Sequence, residues 1–197
     1  MSPMVGIGGI YLLIIGLHDP KWIQIGGLGY RLFRRGSYGY VGSAIRAMRA
    51  RLDRHLKGVK RLHWHIDYLL RYADIDAIIY GQCRRDEECA LANQLSSIFQ
   101  SVPSFGSTDC RCSSHLFFSY RRSPLMKIGY SSFRRIGLTP HPYWKKPYIR
   151  ASDLDLAVEW RRYEACKREA IVGPDVEVKG SKGSNNMENS LLNPKKP

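Results

Sequence analysis

Arg51 and His55 are a pair of side chains whose types and spacing indicate chemistry. Residues four apart in a helix project from the same side, about one turn from each other. A guanidinium and an imidazole placed in this way, near the free amides of a helix N-terminus, can bind an anion, and phosphate is the natural one. An arginine-rich helix is nevertheless most often a solvated surface. The pair therefore indicates a site only together with its neighbours.

The segment 36–56 contains the elements that would position this pair. Tyrosine and valine favour an extended strand up to residue 41, and Gly42-Ser43 then predicts a flexible turn whose serine caps the following helix. Apolar residues recur at helical spacing after the turn, at Met48, Leu52 and Leu56. Upstream, the run 11–15 predicts a buried strand. The sequence thus predicts a strand, a turn and a basic helix beside a second strand.

Two tripeptides precede the Arg/His pair, Gly9-Ile10-Tyr11 and Tyr40-Val41-Gly42. Their order, followed by Arg51-x-x-x-His55, resembles that of the GIY-YIG nuclease superfamily. The resemblance implies that the tripeptides lie on neighbouring strands and bring two tyrosines to one end of a sheet. The arginine of the next helix would lie beside these tyrosines. The implied activity is that of a metal-dependent endonuclease.

The interval between the tripeptides is longer than in most of that superfamily. An alternating stretch at 22–27, bounded by turn residues, predicts an inserted strand or hairpin in this interval. An extended hairpin is typical of the Uri-type branch, a mostly archaeal group. The segments 63–70 and 105–118 also resemble Uri-type proteins, so the resemblance covers residues 9–118.

The same resemblance implies a role for each catalytic residue. Tyr11 would be the general base, oriented by Tyr40, and Arg51 would hold the phosphate as a bidentate donor. His55 would assist proton transfer or bind phosphate. An unperturbed tyrosine has a pKa of about 10, so we expect nearby cations to lower the pKa of Tyr11.

A helix is predicted from Glu88 onward, with Glu88 in its first turn. The resemblance implies that Glu88 binds one Mg²⁺ or Mn²⁺ ion, which would act as a Lewis acid. Glu87 is the next choice for the metal ligand. A plain acid at the start of a helix is the alternative interpretation.

Further candidates for contacts with the substrate or with the catalytic groups are Gly9, Gly42, His63, His65, Asp109, Cys110, Cys112 and His115. Thiols and imidazoles are the usual ligands of zinc. The spacing Cys110-x-Cys112-x-x-His115 is tighter than the common two-residue knuckle, and the sequence has no second CxxC pair, so zinc is disfavoured. Two other interpretations stay open. The cluster either lies beside the active site or is a hydrogen-bonded loop with buried thiols.

The formal charge of +14 and the pI of about 9.8 predict a polyanionic partner. Nucleic acid is favoured over a membrane because the longest apolar run, 4–17, is short and broken by glycine. DNA is favoured over RNA, and no protein partner is indicated. Residues 120–150 combine basic side chains with aromatic rings and contain no acid, which fits phosphate contacts and base stacking. The expected nucleic-acid contacts are Arg46, Arg49, Arg54, Arg134, Arg135, Lys145 and Lys146.

At 197 residues, the chain allows one domain with an appendage. We expect an α/β (α+β) domain over 1–118, with a mixed or antiparallel sheet of three to five strands flanked by helices. A basic aromatic extension over 119–179 would contain one helix at about 152–170, and a disordered tail would follow over 180–197. The odd number of cysteines and the absence of a basic leader predict reduced thiols in a cytoplasmic chain.

Two rivals to the endonuclease remain. The first is a nucleic-acid-binding module that has the same fold but cleaves weakly or not at all. The second is a zinc-stabilised interaction protein built around the cysteine-histidine loop. Intact Tyr11, Arg51 and His55, with an acid near position 88, favour the enzyme.

Overall fold

The computed structural model describes residues 8–58, 61–83 and 87–143. Within these residues, six strands form one sheet and two strands form a separate hairpin. The strands are β1 (Gly9–Leu17), β2 (Lys21–Gln24), β3 (Tyr30–Phe33), β4 (Gly36–Ala44), β5 (Asp74–Gln82), β6 (Gln100–Ser101), β7 (Leu116–Ser119) and β8 (His141–Pro142). The helices are α1 (Met48–His55), α2 (His65–Leu69), α3 (Glu88–Ser96) and α4 (Arg122–Arg135), with a 3₁₀ turn at Gly26–Leu28.

The sheet has the strand order β6-β7-β4-β1-β5-β8, and its neighbouring strands are antiparallel. The predicted fold class is confirmed, but the sheet is larger than the expected three to five strands. β6 and β8 have two residues each. Segments this short contain no hydrophobic period from which a strand could be predicted.

The central strands β1 and β4 fix the alignment of the sheet. All nine residues of β1 are buried, as its unbroken apolar sequence predicts. Tyr11 lies opposite Gly42 on β4 and opposite Tyr80 on β5. Because side chains alternate between the two faces of a sheet, Tyr11, Tyr40 and Tyr80 belong to the same face. The two tyrosines of the tripeptides are thus brought together by register.

Helices cover both faces of the sheet. On one face, the α1 face, Tyr11 and its neighbours pack with apolar residues of α1, α2 and the β2–β3 hairpin. On the opposite α4 face, Gly129 of α4 is so close to the sheet that a Cβ there would lie 2.6 Å from Cδ2 of Leu12. Helix α3 contacts both α4 and β4. The sheet therefore forms the middle layer of the fold.

The expected insertion between the two tripeptides is the β2–β3 hairpin. Its inner residues Ile23 and Phe33 are buried in the core on the α1 face. Trp22, Tyr30 and Leu32 are exposed instead. The alternation seen in the sequence at 22–27 thus corresponds to a strand with one face in the core.

The predicted turn at Gly42-Ser43 is wrong. Strand β4 continues to Ala44, which pairs with Gly9, so both residues lie within the strand. Helix α1 begins only at Met48, and its start has no side-chain cap, so the predicted serine cap is also wrong. His55 is the last residue of α1, and neither it nor Arg51 lies at the N-terminal amides of the helix.

The folded unit continues beyond residue 118, the predicted end of the domain. Helix α4 occupies 122–135 and buries Leu125 and Phe133 completely. The sequence indicated no strong periodicity there because basic and small residues interrupt the apolar positions of this helix. The start of the segment described as a basic extension is thus part of the core.

Several expectations fall outside the described residues. They are the helix at about 152–170, the tail at 180–197, and Lys145 and Lys146. Within the described parts of the chain, no helix combines the length and the apolar character needed to cross a membrane.

The packing of α4 predicts the effect of removing one of its buried rings. Phe133→Ala should lower the free energy of unfolding by about 3–5 kcal/mol because it leaves a cavity between α4 and the sheet. Lys127→Ala, at an exposed position of the same helix, should change it by less than about 0.5 kcal/mol. Urea unfolding followed by circular dichroism measures both. Equal effects of the two substitutions would contradict the packing described for α4.

Candidate functional site

A polar cleft of about 280 Å³ lies at the end of the sheet where β1 begins and β4 ends. It brings together eight of the predicted site residues, namely Tyr11, Tyr40, Gly42, Arg51, His63, His65, Glu88 and Asp109. The sequence did not single out the other lining residues, Ser43, Trp64, Gly106 and Thr108. Residues far apart in the chain therefore meet in one open, polar space.

Tyr11 is linked to His55 behind the cleft. Its hydroxyl lies 2.8 Å from Nε2 of His55, and both residues are buried. Because His55 ends α1, this hydrogen bond joins the helix to the central strand. A phenol O–H can donate to an imidazole nitrogen, so the pair forms a path along which a proton can leave Tyr11.

Gly42 provides the space for the end of the Tyr11 ring. A Cβ at Gly42 would lie 2.5 Å from the hydroxyl oxygen of Tyr11, which is closer than real contacts allow. Gly9 has a different task, since a Cβ there would lie 2.1 Å from the carbonyl oxygen of Gly81. Gly42 is thus a cleft residue, whereas Gly9 permits close approach of β1 and β5.

Both cleft tyrosines are neutral phenols at ordinary pH. Burial raises the pKa of Tyr11 well above its ordinary value, and the neighbouring Tyr40 raises it further. Burial likewise raises the pKa of Tyr40, followed by the charge of Glu88. The positive charge of Arg51 lowers both pKa values but does not offset burial. A nearby cation thus lowers the pKa of Tyr11 as expected, but burial outweighs it and the pKa is raised overall.

Arg51 presents a positive charge to the cleft. Its guanidinium carbon lies 4.0 Å from the centre of the Trp64 ring, so the side chain is held by a cation–π contact. Among the residues that the structure describes, no carboxylate lies within ion-pair distance of Arg51. The guanidinium is thus oriented by an aromatic ring, and its charge remains available for an anion.

Arg54, a predicted contact for nucleic acid, is paired with a buried carboxylate. Two of its nitrogens each lie 2.9 Å from an oxygen of Asp67, whose side chain is fully buried. Asp67 also accepts hydrogen bonds from the backbone amides of His63 and Trp64. The Arg54–Asp67 pair therefore joins α1 to the segment that carries two histidines of the cleft.

The other predicted basic contacts differ in their surroundings. Arg46 is exposed beside the start of α1, and Arg49 lies 3.9 Å from Asp53 on the same helix. Arg134 and Arg135 belong to the last turn of α4, which packs on the face of the sheet opposite to α1. None of these four residues lines the cleft.

His63 and His65 line the cleft from the start of α2. Nδ1 of His65 accepts a hydrogen bond from the backbone amide of Gly106 at 3.1 Å. Burial lowers the pKa of His65, which favours a neutral ring that can accept this bond. Gly106 has a φ of +72°, which explains a glycine at this position, and it lines the cleft together with Asp109.

Glu88 lies in the first turn of α3, as predicted, and lines the cleft. Its Oε1 lies 2.8 Å from Nδ1 of His115. Glu87 precedes the helix and is not a lining residue. Glu88 is thus the carboxylate that belongs to both the cleft and the cysteine-histidine loop.

Three cysteines and one histidine form a second cluster beside the cleft. The ligand atoms of Cys89, Cys110, Cys112 and His115 all lie within 4.8 Å of one another, so this group could hold a metal ion. The sequence predicted proximity of Cys110, Cys112 and His115 but missed Cys89. The signal was its position directly after Glu88, which places a thiol in the same helical turn as the predicted metal ligand. The objection that no second cysteine pair exists does not hold, because α3 contributes a fourth candidate ligand, Cys89.

The fold and the cleft define an α+β protein with an antiparallel sheet and a polar, arginine-containing site at one end of it. The chain belongs to the family described as Domain of unknown function DUF123, whose model matches residues 10–138. The match extends past residue 118 and includes the whole of α4. No curated protein and no solved structure matches the chain.

The close approach of Gly42 to Tyr11 predicts an unusual sensitivity at a glycine within a strand. Gly42→Ala should displace the Tyr11 ring and lower the free energy of unfolding by about 1–3 kcal/mol. Gly27→Ala is the matched control, since nothing lies within 4 Å of a Cβ at Gly27. Thermal unfolding of both variants tests this, and an unchanged Gly42→Ala protein would contradict the described position of Tyr11.

Proposed function

We propose that this protein is a metal-dependent endonuclease that hydrolyses phosphodiester bonds of nucleic acid, DNA in preference to RNA. The observation that carries the proposal is the cleft, in which Arg51 lies together with Tyr11, Tyr40 and Glu88. The tripeptides that resemble the GIY-YIG pattern contribute both tyrosines. Residues of the motif that are widely separated in the sequence thus line the same polar cleft.

Phosphodiester hydrolysis needs charge stabilisation around phosphorus, and Arg51 can provide it. A guanidinium donates two parallel hydrogen bonds to phosphate oxygens, which a point charge cannot do. The Trp64 ring holds the guanidinium without neutralising it. Arg51 would therefore bind the scissile phosphate and stabilise the negative charge that develops in the transition state.

The attacking water must lose a proton, and Tyr11 and His55 can accept it together. A free tyrosinate is disfavoured because burial raises the pKa of Tyr11. The hydrogen bond to Nε2 of His55 provides another route, in which Tyr11 passes its own proton to His55 while it takes one from the water. No phenolate needs to exist before the substrate binds.

The donor set of the cleft fits a hard divalent cation. Glu88 and Asp109 both line the cleft and offer carboxylate oxygens, the ligand type that Mg²⁺ and Mn²⁺ prefer. Such an ion is commonly held by one or two carboxylates together with substrate phosphate and water. When bound, it would supply Lewis acidity and neutralise charge on the phosphate. Glu88 is the proposed protein ligand, and Asp109 is placed to assist it.

The net charge of the chain supports a nucleic-acid substrate. A formal charge of +14 draws polyanions, mostly through phosphate contacts and counterion release. Such contacts do not depend on base sequence.

The proposed roles of Tyr11 and Arg51 predict different losses. Tyr11→Phe removes one hydroxyl and should reduce single-turnover cleavage about 10²–10⁴-fold while binding is retained. Arg51→Ala should reduce cleavage about 10²–10³-fold and also weaken binding, and Arg51→Lys should restore only part of the rate. Cleavage of labelled duplex, single-stranded, flap and branched DNA in Mg²⁺ or Mn²⁺, with anisotropy for binding, measures both effects.

Tyr30→Phe and Arg31→Ala are matched controls because both residues are exposed on the β2–β3 hairpin and lie outside the cleft. Cleavage at the wild-type rate by both Tyr11→Phe and Arg51→Ala would exclude this cleft as the active site. A folded wild-type protein that binds all four DNA forms without cutting any, in either metal, would favour the non-catalytic binding module.

The neighbouring glutamates allow a second comparison. Glu88→Gln should abolish metal-dependent cleavage and leave DNA binding intact, because an amide is a much weaker ligand for Mg²⁺ than a carboxylate. Glu87→Gln should keep near wild-type activity, since Glu87 does not line the cleft. Titration of cleavage with Mn²⁺ for both variants measures the difference. The opposite pattern would move the metal ligand by one residue.

A further inference from the structure

The cysteine-histidine cluster is separate from the chemistry proposed for the cleft. It consists of Cys89 on α3, Cys110 and Cys112 in the loop 102–115, and His115 at the entry to β7. Soft thiolates together with an imidazole form a donor set that selects zinc over Mg²⁺ or Mn²⁺. The donor set of the cluster therefore does not match the Mg²⁺ or Mn²⁺ ion proposed for the cleft.

The dimensions of the cluster suit a tetrahedral ion. Zn–S bonds of about 2.3 Å place the sulfur atoms of a tetrahedral site about 3.8 Å apart. The four ligand atoms here lie within 4.8 Å of one another, so adjustments of about 1 Å would complete the coordination. Four protein ligands would close the site and leave no position for a reacting water, which is typical of structural zinc.

The second nitrogen of His115 is already held in the manner of a metal-bound histidine. Nδ1 lies 2.8 Å from Oε1 of Glu88, and Nε2 lies 3.5 Å from Sγ of Cys110. A zinc-bound histidine almost always gives its other ring N–H to a carboxylate or a carbonyl, which fixes the tautomer and the orientation of the ring. This hydrogen bond supports a metal-bound His115, and it does so independently of the cysteines.

Backbone hydrogen bonds already shape the loop that carries the ligands. The amide of Ser104 donates to the carbonyl of Ser113, and the amide of His115 donates to the carbonyl of Phe105. The carbonyl of His115 in turn accepts from the amide of Val41 in β4. These bonds place Cys110, Cys112 and His115 at one end of a closed loop, opposite Cys89.

We propose that Cys89, Cys110, Cys112 and His115 bind one structural Zn²⁺ ion. The ion joins the loop 102–115 to the first turn of α3. Through His115, it also fixes the carboxylate of Glu88 at the edge of the cleft. Binding releases the thiol protons to solvent, with no change of oxidation state. His115 is then a positioning residue for Glu88, and the zinc site does not depend on whether the cleft cleaves nucleic acid.

The first test uses the wild-type protein, expressed without a histidine tag and purified under reducing conditions. Elemental analysis should find one zinc per chain. In a Cys83→Ser, Cys166→Ser double variant, whose three remaining thiols are those of the cluster, an organomercurial titration followed with a metal-sensitive dye should release that zinc as three thiols react. Co²⁺ in place of zinc should give the thiolate charge-transfer and intense visible bands of a tetrahedral site. A protein that contains no zinc and binds neither added Zn²⁺ nor Co²⁺ overturns the proposal.

The second test locates the ligands. Cys112→Ser and Cys89→Ser should each lose stoichiometric zinc, whereas Cys83→Ser should keep it because Cys83 is not part of the cluster. Glu88→Gln should retain the site with zinc affinity about 10- to 100-fold weaker, measured by competition with a chelator. Equal zinc content in Cys112→Ser and Cys83→Ser overturns the ligand set. If the ligand variants do not fold, the titration of three thiols per zinc in the Cys83→Ser, Cys166→Ser protein still decides the question.

Discussion

The antiparallel pairing of β1 with β4 is the constraint on which the site depends. It sets Tyr11 opposite Gly42 and places Tyr40 on the same face. A shift of the register by one residue would move Tyr11 to the α4 face and bring a side chain against its ring. The unbroken apolar sequence of β1 could itself pair in more than one register. The close fit at Gly42 and the hydrogen bond from Tyr11 to His55 are two features that favour this one.

Electrostatics in the cleft follow from the same burial. Two neutral phenols line the cleft together with the positive charge of Arg51 and the carboxylate of Glu88. The ring of Trp64 holds the side chain of Arg51, and a hydrogen bond to His115 holds the side chain of Glu88. An arrangement of opposite charges that do not form an ion pair suits a ligand that carries both anionic oxygens and a cation. A nucleic-acid phosphate with a bound divalent metal has this character.

The sequence predicted the parts of the fold that have local causes. The apolar run of β1, the alternating strand β2 and the helix from Glu88 were all visible as hydrophobic periods. The start of α1 was misplaced because glycine and serine at 42–43 suggest a turn, whereas pairing with β1 keeps them extended. Helix α4 was not predicted because its apolar stripe is interrupted by basic and small residues. Its burial is a tertiary effect.

Residues of the site could be predicted from the sequence where a motif contains them. Residues that come together only by contact in the fold could not be predicted. Arg54 looked like any other arginine of α1, yet its partner Asp67 is thirteen residues away and fully buried. Cys89 joins its cluster across 21 positions of sequence, and no second cysteine lies within four residues of it to form a recognisable ligand pair. Such pairs are fixed by packing, which the order of residues does not reveal.

The stacking of Arg51 on Trp64 gives the cleft an optical property. The indole of Trp64 lies between two guanidinium groups, with Arg54 at 4.2 Å on the same ring. A phosphate that draws Arg51 toward itself changes the surroundings of this chromophore, and indole emission responds to nearby charge. Trp22, by contrast, lies on the β2–β3 hairpin and does not line the cleft, and 64% of its surface is open to solvent. We therefore expect the proposed binding of phosphate in the cleft to change the emission of Trp64.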